Sequence, residues 1–158
     1  MKITDFYASP DREHWLSQLR LCDWPGGKWL VELIEKDWFH ETVGGTSKLL
    51  LLTDGDRLVS FCTLSEWDDI PDSGLTPWVG FVYTYPEYRG RRCFGQLLDE
   101  ASRLAAEQGF DALYISTDHI GLYEKYGCEY IGDMTDMRGN ASRVYIKGTR
   151  GLVRNEKG

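Results

Sequence analysis

Three arginines fall within four positions, Arg89, Arg91 and Arg92, in a stretch that also holds Gly90 and Gly95. Val82, Tyr83 and Thr84 before them read as the end of a strand that Pro86 stops. Phe94 after them begins the apolar stripe of an amphipathic helix, so a strand, a basic turn and a helix start follow in order. N–H groups in the first turn of a helix lack intrahelical partners and carry the positive end of its dipole. Such a turn can cradle an anion, and glycines let it approach the backbone closely. A solvated helix start is the other reading, and the residues alone leave both open. Neither G-x-x-x-x-G-K-S/T nor G-x-G-x-x-G is present, so the common nucleotide fingerprints do not apply.

A second group with chemical potential is the loop from Ser65 to Pro77, which gathers Glu66, Asp68, Asp69 and Asp72 around Trp67. These acids either face solvent or attract a cation. Cys22, Cys62, Cys93 and Cys128 have no C-x-x-C spacing, and His14, His40 and His119 no H-E-x-x-H. Buried free thiols and no metal site are expected.

Residues 2–8 read as a short strand, and 10–21 as a helix with Trp15, Leu16 and Leu19 on one face. Asp23 to Gly27 reads as a break. A second helix is expected over 28–40, where Leu30, Ile34 and Trp38 recur at helical spacing and Glu32, Glu35 and Asp37 face solvent. Apolar runs 49–53 and 58–64 flank Asp54-Gly55-Asp56-Arg57 and predict a hairpin. A strand over 78–85 precedes the helix of Phe94, Leu97, Leu98, Ala101, Leu104 and Ala105, which Gly109 ends. Strand 112–117, a short helix 120–126, and strands 129–134 and 143–147 complete the order. It predicts a single α/β domain over 1–150 with a mixed sheet in one layer sandwich, and a frayed tail over 151–158.

The chain has 158 residues, of which 42% are hydrophobic and 13% aromatic, which suits one domain with a core and excludes a disordered chain. The net charge of −7 runs against binding nucleic acid through phosphates. Residues 1–80 hold seven basic and fourteen acidic side chains, whereas 81–158 hold eleven of each. That asymmetry fits a cation facing the first half and an anion held by the arginines of the second, or solvated helix faces alone. Apolar runs stay far short of the roughly 20 residues that span a bilayer. The N-terminal residues lack the apolar core of a signal peptide, so a soluble, cytoplasmic chain without membrane contact is expected.

Thr84-Tyr85-Pro86-Glu87-Tyr88-Arg89-Gly90, with Leu97-Leu98 downstream, resembles the acetyl-CoA motif of the GNAT superfamily of N-acetyltransferases, V-x-P-x-x-R/Q-G-x-G-x-G/A. Leu122-Tyr123-Glu124-Lys125-Tyr126-Gly127-Cys128 resembles the family's F-Y-E-K-x-G-F block. The element order is similar too, so the resemblance spans essentially the whole chain and implies an α/β (α+β) fold with a central mixed, mostly antiparallel sheet flanked by helices. Arg92 and Phe94 stand where the family usually has glycines, and Cys128 where it has Phe. Phe94 also begins the apolar helix face, so its ring is expected toward the core, and Arg92 is expected along the pyrophosphate.

The resemblance implies direct attack of an amine on the thioester of acetyl-CoA in a ternary complex. Val82, Tyr83 and Thr84 would pair with the pantetheine arm, and Arg89, Gly90, Arg91, Arg92, Cys93, Phe94 and Gly95 would hold the pyrophosphate. His119 would add a cofactor contact, and Tyr123 would be the general acid that protonates the departing thiolate. Deprotonating an alkyl ammonium at neutral pH costs about 4–5 kcal/mol, and Glu66, Asp68, Asp69 and His119 are candidates to assist. The family's usual strand Glu is replaced by Trp78. A cationic small-molecule amine is the expected acceptor, drawn by Glu66, Asp68 or Asp69, with Trp67 or Trp78 as a cation–π face. A protein lysine or N-terminus as acceptor and a silent CoA-binding domain are the alternatives. Monomer and homodimer are both left open.

Overall fold

The computed structural model describes residues 1–149, and the tail expected over 151–158 lies outside the described residues. Seven strands form one sheet in the order β1-β2-β3-β4-β5-β7-β6. They are β1 (Lys2–Asp5), β2 (Lys48–Asp54), β3 (Arg57–Ser65), β4 (Trp78–Thr84), β5 (Ala112–Thr117), β6 (Glu129–Thr135) and β7 (Ala141–Gly148). Every neighbouring pair is antiparallel except β4 and β5, which meet in parallel at Trp78 and Tyr114 alone.

The helices are α1 (Arg12–Leu19), α2 (Pro25–Glu35), α3 (Phe39–Val43) and α4 (Cys93–Glu107). Strand β3 is buried at every position after Arg57, which requires cover on both faces. Phe61 meets Tyr83 and Tyr85, whose hydroxyl donates to Gln18 O of α1, while α4 packs across β2 to β5 through Leu97, Leu98, Ala101 and Ala105. The β2–β3 hairpin turns on Gly55 and Asp56, with Gly55 at φ 62°. Helix α4 ends ahead of Gly109, whose φ of 92° is the left-handed stop its sequence announces. The four cysteines are buried thiols. Strand β6 forms one sheet edge, with Tyr130 and Ile131 exposed.

Four elements depart from the sequence reading: the helix expected over 120–126 is a 3₁₀ turn over Tyr123–Tyr126, α3 is a separate helix not expected from the sequence, and β1 and α2 have other bounds. Strand β1 stops at Asp5, because its carboxylate accepts the Tyr7 N–H and starts a 3₁₀ turn over Phe6–Ala8. The helix expected over 28–40 begins earlier, at Pro25, and ends at Glu35. Proline suits a first helical position because its missing N–H would have no partner there. Gly27, within this helix, must lack a side chain because Cys22 Sγ occupies the space a Cβ would need. Asp37, at φ 58°, breaks the helix, and Trp38 sits on the surface under the Lys36 ammonium instead of in the core.

Candidate active site

Strand β4 carries the irregularity that shapes the site. Phe61 pairs with Tyr83 and Thr63 with Gly80, so Phe81 and Val82 together face the single residue Cys62. This is a β-bulge, and Phe81 takes a left-handed φ of 49° within it. Beyond Trp78 and Tyr114 no further pair joins β4 to β5, so the strands diverge toward Thr84 and Thr117. Backbone groups on the diverging edges lose their partner strand and are free to bond a ligand.

A cleft of about 750 Å³ occupies the gap. One wall is Val82, Tyr83 and Thr84; the floor runs along Arg89, Gly90, Arg92, Cys93 and Phe94; the far wall is His119, Leu122, Tyr123 and Tyr126. Asp23 and Trp24, from the α1–α2 connection, close one side, and the Trp24 indole stacks on Tyr83 at 5.9 Å and 4°. Sequence reasoning treated these two as part of a chain break. Their one visible signal is an aromatic beside Pro-Gly-Gly.

The turn before α4 is braced from within. Arg89 Nε donates to Thr84 O at 2.9 Å and its guanidinium lies over Tyr83, while Arg91 lies over Tyr88. Arg91 and Gly95 are not part of the cleft lining, and Gly95 borders a smaller hollow with Gln96 and Lys125. Gly90 is left-handed at φ 79°. Arg92 also adopts a left-handed φ, 57°, which explains why glycine suits this position. Its guanidinium donates to Lys125 O at 2.9 Å and lies over Tyr126, so part of it is spent tying the turn to the opposite wall. Phe94 is buried, edge-on to both Tyr123 and Tyr126. Gly95 leaves room for Tyr126, which a Cβ there would meet at 3.2 Å.

Tyr123 opens a 3₁₀ turn over Tyr123–Tyr126 and is 4% exposed, against Phe94 and Tyr145. Burial pushes its phenol well above the ordinary tyrosine range, and the Cys62 sulfur adds to this, while Thr117 works the other way. The phenol is therefore neutral and able to donate across the physiological range. His119 is exposed at the rim, with its N–H donating to Thr117 Oγ1.

The residues expected on the acceptor side do not line this cleft. Glu66 accepts from the N–H and hydroxyl of Thr46 at 2.7 Å each, which lowers its carboxyl pKa and commits it to a neighbouring turn. Trp67 is exposed. Trp78 offers no open cation–π face: it is 1% exposed, packs with Ile70 and Val144, and its Nε1 donates to Leu75 O. Asp68 and Asp69 turn inward over β4. A methyl on Gly80 would meet Asp68 Oδ1 at 2.5 Å and Thr63 Oγ1 at 3.4 Å. Desolvation, reinforced by Asp69, pushes the Asp68 carboxyl up to about 8.

The family model described as acetyltransferase (GNAT) domain matches residues 31–131. No curated protein matches the chain in sequence. Among solved structures, an aminoglycoside 6'-N-acetyltransferase complexed with coenzyme A is similar at 15% identity and TM-score 0.65, covering 94% of this chain and 97% of that one. A GNAT-family acetyltransferase described as putative, from Desulfovibrio desulfuricans, is similar at 13% identity and TM-score 0.67, covering 94% and 98%. A spermidine N-acetyltransferase chimera from Vibrio cholerae and hSSAT is similar at 14% identity and TM-score 0.60, covering 97% and 99%. At these identities the likeness is one of fold.

Proposed function

The chain belongs to the GNAT acetyltransferase family, and from that premise we propose that it moves the acetyl group of acetyl-CoA to a primary amine of a cationic small molecule. The observation that carries the reading is the cleft itself, which has an arginine- and glycine-bearing turn at one end and a neutral buried phenol on its far wall.

Thr84, Tyr83 and Val82 present the unpaired edge of β4 to an extended, amide-bearing arm, which docks as a short extra strand. Gly90, Cys93 and Phe94 hold the pyrophosphate through backbone N–H groups at the start of α4, and Arg89 and Arg92 add positive charge. His119 contributes at the rim, and Arg91, held over Tyr88 outside the cleft lining, adds positive charge at longer range. Phe94 keeps its ring in the core and Arg92 reaches to Lys125, which supports a turn that the two departures from glycine leave open to the donor. An N–H at the bulge polarises the thioester carbonyl, and Tyr123 donates a proton to the leaving thiolate. The acceptor arrives from the side of the acidic half of the chain. The relatives named for aminoglycosides and spermidine act on polycationic amines, which supports the same substrate class. Four buried thiols suit a cytoplasmic setting.

The test is detection of CoA thiol release with acetyl-CoA and a panel of polyamines, aminoglycosides, amino acids and peptides. Turnover with the polyamines or aminoglycosides is expected. Turnover with peptides alone would replace the small-molecule reading with a protein acceptor. Acetyl-CoA binding without turnover on any amine would leave a silent domain.

A further inference from the structure

Two buried side-chain oxygens close to the β4 bulge lack the hydrogen-bond partners that burial requires, and the Asp68 carboxyl packs beside them. Thr63 is fully buried and its Oγ1 has no partner; Asp69 Oδ1 is buried and unpartnered as well. Asp68 Oδ1 and Thr63 Oγ1 converge on the same point above Gly80, one residue before the bulge. A buried acceptor left without a donor is unfavourable, so these oxygens suit a group that brings N–H or O–H donors.

The cluster is held in place. Trp67 N–H donates to Val43 O, Ser65 Oγ to Trp67 O, and Met137 N–H to Asp69 O, so the loop is tied to α3, to β3 and to the β6–β7 connection. Ile70 anchors its far end beside Trp78 and Val144. The titratable groups that act on this position are Asp69, from the same loop, and Tyr123, whose phenol feels the Asp68 charge. The carboxyl thus stands within electrostatic reach of the proposed acid.

We propose that Asp68, with Thr63 and Asp69 beside it, receives the acceptor's ammonium group and takes its first proton. A primary ammonium offers N–H donors to the two unpartnered oxygens of Thr63 and Asp69, and its positive charge favours the ionised form of the Asp68 carboxyl beside them. The proposal rests on the acetyl-transfer reading above. One proton passes from the ammonium to the Asp68 carboxylate, leaving a neutral amine and a carboxylic acid. The nitrogen lone pair forms the C–N bond to the thioester carbon, and the C–S bond then breaks with its electron pair on sulfur. The CoA thiolate takes the Tyr123 proton, the nascent amide nitrogen returns one to the phenolate, and Asp68 releases its own to solvent. The sum is one amide, one thiol and one proton.

The test is carboxyl-carbon NMR titration of the whole protein, alone, with excess propylammonium chloride and with excess tetramethylammonium chloride. The Asp68 midpoint is expected near 8 in the free protein. It should fall by about one unit or more with propylammonium, because a bound cation favours the carboxylate. It should not move with tetramethylammonium, which has no N–H. A midpoint unmoved by propylammonium overturns the proposal, whatever the enzyme's activity. Asp68→Asn should lower kcat/KM for the amine by about 100-fold or more while leaving acetyl-CoA affinity unchanged, and wild-type kcat/KM in this variant also overturns it. Should that variant not fold, Thr63→Val keeps the shape and removes one acceptor. A raised amine KM supports the site and an unchanged one overturns it. A propylammonium-dependent midpoint in an enzyme that turns over no amine keeps the ammonium site and removes the transfer reading.

Discussion

Tyr123 keeps its proton because Phe94 and Tyr145 surround the ring and water is largely excluded. Its high pKa makes transfer to a thiolate uphill, so the hydrogen bond that strengthens as charge gathers on sulfur comes first and the transfer is completed as the amide nitrogen returns a proton to the phenolate. Tyr123→Phe preserves the packing, and kcat is expected to fall about 100-fold or more with acetyl-CoA affinity unchanged, as single-turnover kinetics and calorimetry would show. Asp68 writes its environment into stability. Its folded value lies above the ordinary 3.8, near 8, so between these limits the folded chain binds a proton that the unfolded chain has released. That contribution is complete below about 4 and is lost as pH rises toward about 8. Thermal melts stepped across this window should fall with pH in the parent and run flatter in Asp68→Asn, which gains most at the alkaline end.

At the scale of elements, the strand–turn–helix unit is the joint on which the cleft depends. A left-handed non-glycine residue costs roughly 1–2 kcal/mol, and Arg92 offsets this with its bond to Lys125 and its place over Tyr126. Arg92→Ala keeps the strain and loses both contacts, so a loss of about 1–2 kcal/mol in urea unfolding is expected. Arg92→Gly removes the strain as well and should be the more stable of the two by about 1 kcal/mol. This unit was legible in the sequence because its signals are local: a proline after a strand, glycines in a turn, an apolar stripe at helical spacing. The β2–β3 hairpin and Gly109 were readable for the same reason. The start of α2 was not, because Pro25-Gly26-Gly27 reads locally as a break, and the need for a glycine at Gly27 comes from Cys22, which the fold packs against it. Nor could the sequence rank the acids of one loop. Glu66 is drawn to Thr46 and Asp68 to the space over Gly80, both long-range contacts, and Trp78 is covered by Ile70 and Val144.

Across the whole molecule, charge and topology divide along related lines. Residues 1–80 carry an excess of seven acidic side chains, and the arginine turn lies in the balanced remainder. Association of a polycationic acceptor should therefore weaken as salt rises, with kcat/KM falling about tenfold or more between low and high ionic strength; a neutral amine of like size should show a smaller loss attributable to the donor alone. The sheet divides as well, because one residue pair is all that bridges β4 and β5. Strands β1 to β4 and strands β5 to β7 are thus two hydrogen-bonded sets that share a core and little ladder. In amide hydrogen exchange the two sets should open as separate units, with Val82 to Thr84 among the fastest strand amides of the free protein. A donor lying in the gap would bond across it, slow those amides, and make the two sets exchange as one.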